Sequence, residues 1–113
     1  MESLKKLLPF LTEKELNELL EKILQSPNQE FKDVKLKDIL VFLKPESIDN
    51  LFLDQLKKGQ DVTYILPFVS HETLKNIVEL YCNSKLDYEI DINKLAMFLT
   101  PEDISLLYQY MTK

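Results

Sequence analysis

One histidine and one cysteine, His71 and Cys82, are the residues of this chain able to form a nucleophile–base pair or a soft-metal site. They stand eleven residues apart, which is about 16 Å along a helix axis, so on one helix they cannot meet. A single cysteine makes no internal disulfide, and a single histidine builds no histidine cage for a metal. Asp87, Glu89 and Asp91 alternate like the opening of a calcium loop. Such a loop needs glycine at its sixth position and glutamate at its twelfth, and counting from Asp87 these fall on Ile92 and Phe98. The triplet reads instead as a solvated acidic linker whose last member, Asp91, caps a helix. Carboxylates occur on every amphipathic stretch and no pair is set apart for acid–base work. Glycine-rich phosphate loops, nucleophile elbows and Cys-x-x-Cys pairs do not occur. The expectation is a non-enzyme with no catalytic, cofactor-binding or metal-binding residues.

The elements that carry these side chains follow from composition and periodicity. With 113 residues, 45% hydrophobic and 29% charged, the chain suits one folded domain. Its 19 acidic against 14 basic residues give a net charge of −5, the wrong sign for a surface that holds phosphates. Nucleic acid and membrane are therefore unpromising partners. The stretch Leu4–Leu11 is broken by Lys5 and Lys6, which argues against a secretory leader. The longest apolar run, Tyr64–Val69, falls far short of the roughly 18 residues that span a bilayer. A cytoplasmic protein with a reduced Cys82 is expected.

The strongest signal is internal repetition. Leu7-Leu8-Pro9-Phe10-Leu11-Thr12-Glu13-Lys14-Glu15-Leu16 aligns without a gap to Ile65-Leu66-Pro67-Phe68-Val69-Ser70-His71-Glu72-Thr73-Leu74. Two further copies run in the same frame from Ile39 to Ile48 and from Leu95 to Ile104, so the starting positions 7, 39, 65 and 95 are separated by 32, 26 and 30 residues. Spacing of that size, with insertions between copies rather than within them, describes stacked helical hairpins. The four units cover about residues 3–26, 35–58, 61–84 and 91–112.

Helix punctuation recurs at matching places. Thr12, Ser70 and Thr100 are good N-caps, Glu15 completes a capping box with Thr12, and Pro45 and Pro101 take the first helical position. Lys44 alone departs from the pattern. Apolar residues then follow at helical spacing: Leu16, Leu19, Leu20 and Ile23; Ile48, Leu51, Phe52 and Leu56; Leu74, Ile77, Val78 and Tyr81; Ile104, Leu107, Tyr108 and Met111. These predict the inner faces of four longer helices. Shorter apolar sets precede each phenylalanine, with Ser3, Asp61 and Asp91 placed to cap a second, shorter helix and Lys35 as the exception. Pro9 and Pro67 should end the short helices, because the residue before proline resists the helical conformation. The phenylalanine and the aliphatic residue after it should point into the groove between the two helices. The predicted architecture is all-α: four tandem helical hairpins, each a short helix, a Pro-Phe turn and a long helix, stacked as a compact α-solenoid-like array. Residues 26–34, 57–60 and 83–90 would be surface linkers.

The pattern apolar-Leu-Pro-Phe-Leu-Ser/Thr-x-Glu-x-Leu, followed by a leucine-rich helix, resembles a short helical-hairpin repeat of uncharacterised bacterial proteins from Gram-positive lineages. The resemblance covers residues 3–112 and implies an α-hairpin fold with a scaffolding or regulatory role, with no catalytic residues to carry over. Copy two departs from it at Val41 and Lys44, and copy four at Ala96 and Met97. In plan the array is similar to HEAT-type and other α-solenoids, which bind proteins along an edge or concave face.

Comparison between copies then locates functional candidates. Leu53 aligns with Glu21, Glu79 and Gln109; Leu106 with Glu18, Asn50 and Asn76; Leu80 with Lys22 and Asp54. These leucines break the solvent-face rule, and Tyr110 shares the column of Leu80. Either linkers and terminal units fold over them, or they form a patch for a second chain, identical or different, anchored by Tyr88, Tyr108 and Tyr110. Cys82 aligns with core positions Leu24 and Leu56 and is expected to be a buried structural thiol; His71 aligns with Glu13, Pro45 and Pro101 and is expected at the surface. The favoured function is a protein–protein interaction or scaffolding module, including a homodimer. The alternative is a nucleic-acid-related protein, either a weak direct binder through lysines such as Lys5, Lys6, Lys35, Lys37, Lys57 and Lys58, or an acidic inhibitor of a DNA-binding enzyme.

Overall fold

Residues 2–113 are described by the computed structural model. They are mostly helical: α1 (Glu13–Leu24), α2 (Leu36–Ile39), α3 (Pro45–Lys57), α4 (His71–Cys82) and α5 (Pro101–Met111). Between them lie 3-10 segments at Lys5–Phe10, Pro27–Gln29, Leu40–Phe42, Leu66–Phe68 and Ile92–Phe98, and a two-stranded antiparallel ribbon of β1 (Glu30–Phe31) and β2 (Val34–Lys35). The chain divides into two compact units, Met1–Ser47 and Ile48–Lys113.

In the first unit the predicted capping box forms. The Thr12 hydroxyl accepts from the Glu15 N–H at 3.1 Å, and the Glu15 carboxylate accepts from the Thr12 N–H at 2.9 Å. Those same hydrogen bonds hold the Glu15 carboxyl below its ordinary range. The helix that follows buries Leu16, Leu19, Leu20 and Ile23, as its spacing predicts, and packs on α2 and β1. Its opposite face carries Lys14, Glu18, Glu21 and Lys22 to solvent.

The stretch 26–34 is more than a surface linker. Glu30 pairs with Lys35 and Phe31 with Val34 across a tight turn, and Val34 is fully buried. Phe31 and Val34 are strand formers flanking two polar residues, a hairpin signal that lacked the usual glycine. Lys32 instead takes the positive φ of 56°. Its neighbour Asp33 reaches the N-terminal 3-10 segment, accepting from the N–H groups of Leu4 and Lys5 at 3.1 and 3.3 Å and from the Ser3 hydroxyl. The cap expected from Ser3 is thus supplied by Asp33 from thirty residues away. The Ser3 hydroxyl bond is the main cause holding the Asp33 carboxyl below its usual range.

In the second unit α4 packs on α5, and the 3-10 segments Leu66–Phe68 and Ile92–Phe98 pack on each other. Two chain reversals share one geometry. Gly59, at φ 72°, follows α3 with the Gln60 N–H bonded to the Gln55 carbonyl; Ser84, at φ 57°, follows α4 with the Lys85 N–H bonded to the Leu80 carbonyl. Both are six-to-one closures with a left-handed residue just past the helix, the site where glycine is favoured and serine is strained. Ser70 caps α4, accepting from the Thr73 N–H at 3.2 Å. The cap is itself held by Asp49 of α3, which accepts from the Ser70 N–H at 3.0 Å and from its hydroxyl at 2.8 Å. Asp49→Ala is expected to lower unfolding stability by about 1–2 kcal/mol in a denaturant titration. Asp54→Ala, which removes the exposed pair with Lys58 at 3.0 Å, should stay within about 0.5 kcal/mol. Equal losses would contradict the cap assignment.

The short elements differ from expectation in one instructive way. Pro9 and Pro67 lie inside their 3-10 segments, which end one residue later at Phe10 and Phe68. Pro67 sits in the first turn, where its missing N–H has no bond to lose. A 3-10 helix has three residues per turn, so residues three apart eclipse. Leu7 and Phe10 therefore share one side and both face solvent, with Phe10 81% exposed, whereas Leu8 is buried. Phe68 is exposed as well, and Phe42 and Phe98 are half-buried. The phenylalanines do not fill the interhelical groove; the aliphatic residues after them turn inward, with Leu43 and Val69 buried and Leu11 and Leu99 half-buried.

Candidate functional site

The candidates for chemistry stay apart. His71 is exposed at the start of α4, and Cys82 is half-buried at its end. The Cys82 Sγ makes only a long contact of 3.9 Å to the carbonyl of Leu106, in place of the full burial its column predicts. Burial pushes the thiol above its usual pKa, with Lys113 opposing weakly. A raised pKa keeps the reactive thiolate scarce at neutral pH. Alkylation by iodoacetamide at pH 7 is therefore expected to run slower than that of a free cysteine, with the half-maximal rate at higher pH; a faster rate would mark an activated nucleophile. Among the described residues no group of His, Cys, Asp and Glu could hold a metal ion, and no helix is long and apolar enough to cross a membrane.

Leu53 is half-buried on α3. Leu80 and Leu106 are exposed at the edges of α4 and α5. Tyr88 and Tyr110, by contrast, are brought together. With Tyr81 they line a cavity of about 400 Å³, completed by Ser84, Leu86, Glu89 and Ile90. Tyr108 lies elsewhere, because two residues along a helix is about 200° around it, and it is 68% exposed.

The largest departure from the sequence reading is the orientation of α5. Its predicted inner face was Ile104, Leu107, Tyr108 and Met111. The Thr100 hydroxyl caps the helix as expected, accepting from the Asp103 N–H, but the buried side chains are Asp103 and Leu107, with Tyr110 half-buried. Two contacts with α4 account for that side: Tyr110 meets Tyr81 edge-on with ring centroids 5.4 Å apart, and the Leu106 backbone lies against Cys82. Edge-to-face aromatic pairs add to simple burial. The stripe Ile104, Tyr108 and Met111, at i, i+4 and i+7, is left 38%, 68% and 51% exposed.

The repeat register gives this stripe meaning. Its counterparts Leu16, Leu20 and Ile23 in α1, and Ile48, Phe52 and Gln55 in α3, are buried; Leu74 and Val78 in α4 are buried with Tyr81 half-buried. Copy four alone leaves the column open. By helical spacing the exposed positions flanking it are Pro101 and Ser105 of α5 and Thr112 just past its end, with the exposed Glu102 on the far side of the helix. Met97 of the same repeat is also exposed, at 91%. Counting polar-to-apolar exceptions could not find this face, since its residues obey the repeat.

Comparison with protein-family models, with characterised proteins and with solved structures finds no match to the chain.

Proposed function

We propose that this chain is a non-catalytic protein-interaction module: four helical-hairpin repeats stacked as a compact α-solenoid, of the kind its LPFL motif resembles, with the outer face of α5 as the docking surface for a second chain. The observation that carries the reading is the open column Ile104, Tyr108 and Met111 in a molecule whose other copies bury the same positions, with Tyr81 alone half-buried. Solenoid units bury their stripes on neighbours, and a stripe left open is available to another chain. Depletion of charge around exposed aromatic and Met side chains is the composition of an interface core. The occupant is another protein or a second copy of this chain, met in the cytoplasm, where Cys82 would stay reduced. The nucleic-acid alternative draws no support from the net charge of −5.

A photo-crosslinking side chain in place of Tyr108 tests this reading. An adduct is expected from that position and none from Glu18 on α1. A product of twice the chain's mass would identify the partner as a second copy, and a heavier or lighter discrete product a different protein. No adduct at Tyr108, or equal yields at both positions, would overturn the assignment.

A further inference from the structure

The cavity lined by Tyr81, Tyr88 and Tyr110 is separate from the α5 stripe and is not explained by a docking function. It lies within the second unit, where the return of the chain after Ser84 brings Leu86–Ile90 alongside the end of α4 and the last turn of α5. Tyr81 and Tyr110 stand at an interplanar angle of 63° and form a corner; Tyr88 supplies another aromatic wall. The one charged side chain in the lining is Glu89. Residues 48–113 as a whole carry ten acidic and six basic side chains, so the field over this region favours cations.

The rings already attract ammonium groups. Lys57 places its Nζ 5.9 Å from the centre of the Tyr88 ring, and Lys113 places its Nζ 5.9 Å from that of Tyr110. Both distances fall within the roughly 6 Å over which a ring quadrupole holds a cation. Neither lysine lines the cavity, so its interior combines tyrosine walls and a carboxylate with no cation of its own. We propose that this cavity binds an organic ammonium ion, of the quaternary or methylated type. Such a group has a large, weakly hydrated surface that aromatic walls accommodate, and its charge is balanced by Glu89. Free choline-like molecules and the trimethyllysine side chain of a protein present the same chemistry.

The test is a titration of the full chain with choline, with a short trimethyllysine peptide, and with 3,3-dimethylbutanol, the neutral carbon isostere of choline, following tyrosine ring and ligand methyl resonances by NMR. Ring signals of Tyr81, Tyr88 and Tyr110 are expected to shift, with the isostere binding roughly 3- to 10-fold more weakly than choline. Tighter binding of choline would point to a small molecule, and tighter binding of the peptide to a modified protein. Tyr88→Leu should weaken binding by a similar factor. Lys57→Met removes an ammonium that rests on the Tyr88 ring outside the cavity lining and should leave binding intact, an outcome that a merely unfolded variant could not give. Ring signals unmoved by either cation, or equal affinity for the isostere, would overturn the proposal. Ile104→Glu should leave the titration unchanged, so failure here is distinguishable from failure of the docking surface.

Discussion

Replacing Tyr108 and Met111 together with glutamate is expected to abolish association with the docking partner while leaving the fold intact. Both side chains are more than half exposed in the chain by itself, so the substitution removes little burial, and stability should change by no more than about 0.5 kcal/mol. At an interface the balance is different. Each fully buried large apolar side chain contributes about 1.5–3 kcal/mol, and a carboxylate forced into the same contact adds an unpaired charge. A loss of at least about 3 kcal/mol, roughly 100-fold or more in Kd, follows. Leu20→Glu is the matched control. Leu20 occupies the column of Tyr108 in α1 and is buried, so there the same charge should unfold the protein. Sedimentation and circular dichroism on the two variants separate the outcomes. Unchanged association of the double variant would remove α5 as the contact, and loss of helicity would mean the stripe is packed rather than free.

The long helices were legible because their signals are local. Thr12, Ser70 and Thr100 each accept the predicted cap bond, and the stripes of α1 and α4 are covered as their spacing requires. The short elements were less so, because four or five apolar residues around a proline fit an α-turn or a 3-10 turn equally well. In either geometry Leu8 and Phe10 lie on roughly opposite sides, and which of them faces inward is set by packing. Orientation of α5 was hidden for a different reason. Periodicity reads Ile104, Leu107, Tyr108 and Met111 as its inner face, but Leu106 and Tyr110 offer a second apolar side that shares Leu107. What settles the matter is the non-local pairing of Tyr110 with Tyr81, supplied by α4. The tyrosine cavity likewise depends on a left-handed serine, Ser84, that no turn rule favours. Tyr110 could be named from the sequence as an exception to the repeat and Tyr88 as an aromatic side chain in a linker, but their meeting with Tyr81 could not.

Two phenylalanines give the sharpest stability contrast. Phe52 of α3 is completely buried, whereas Phe10 is the most exposed aromatic side chain among the described residues. Truncating a buried phenylalanine loses its transfer free energy and leaves a cavity that the surroundings fill only partly, so Phe52→Ala should cost about 3–5 kcal/mol. That is a large share of the 5–15 kcal/mol typical of a folded domain. Phe10→Ala should stay within about 0.5 kcal/mol, and Leu8→Ala, two residues earlier, should cost about 2–5 kcal/mol because Leu8 is buried. An α-helical first segment with Phe10 in the interhelical groove would reverse that order. Denaturant midpoints measured with unchanged slopes decide between them. A costly Phe10→Ala beside a tolerated Leu8→Ala would show that the N-terminal segment turns its other side to the core, and would put the motif phenylalanine back inside.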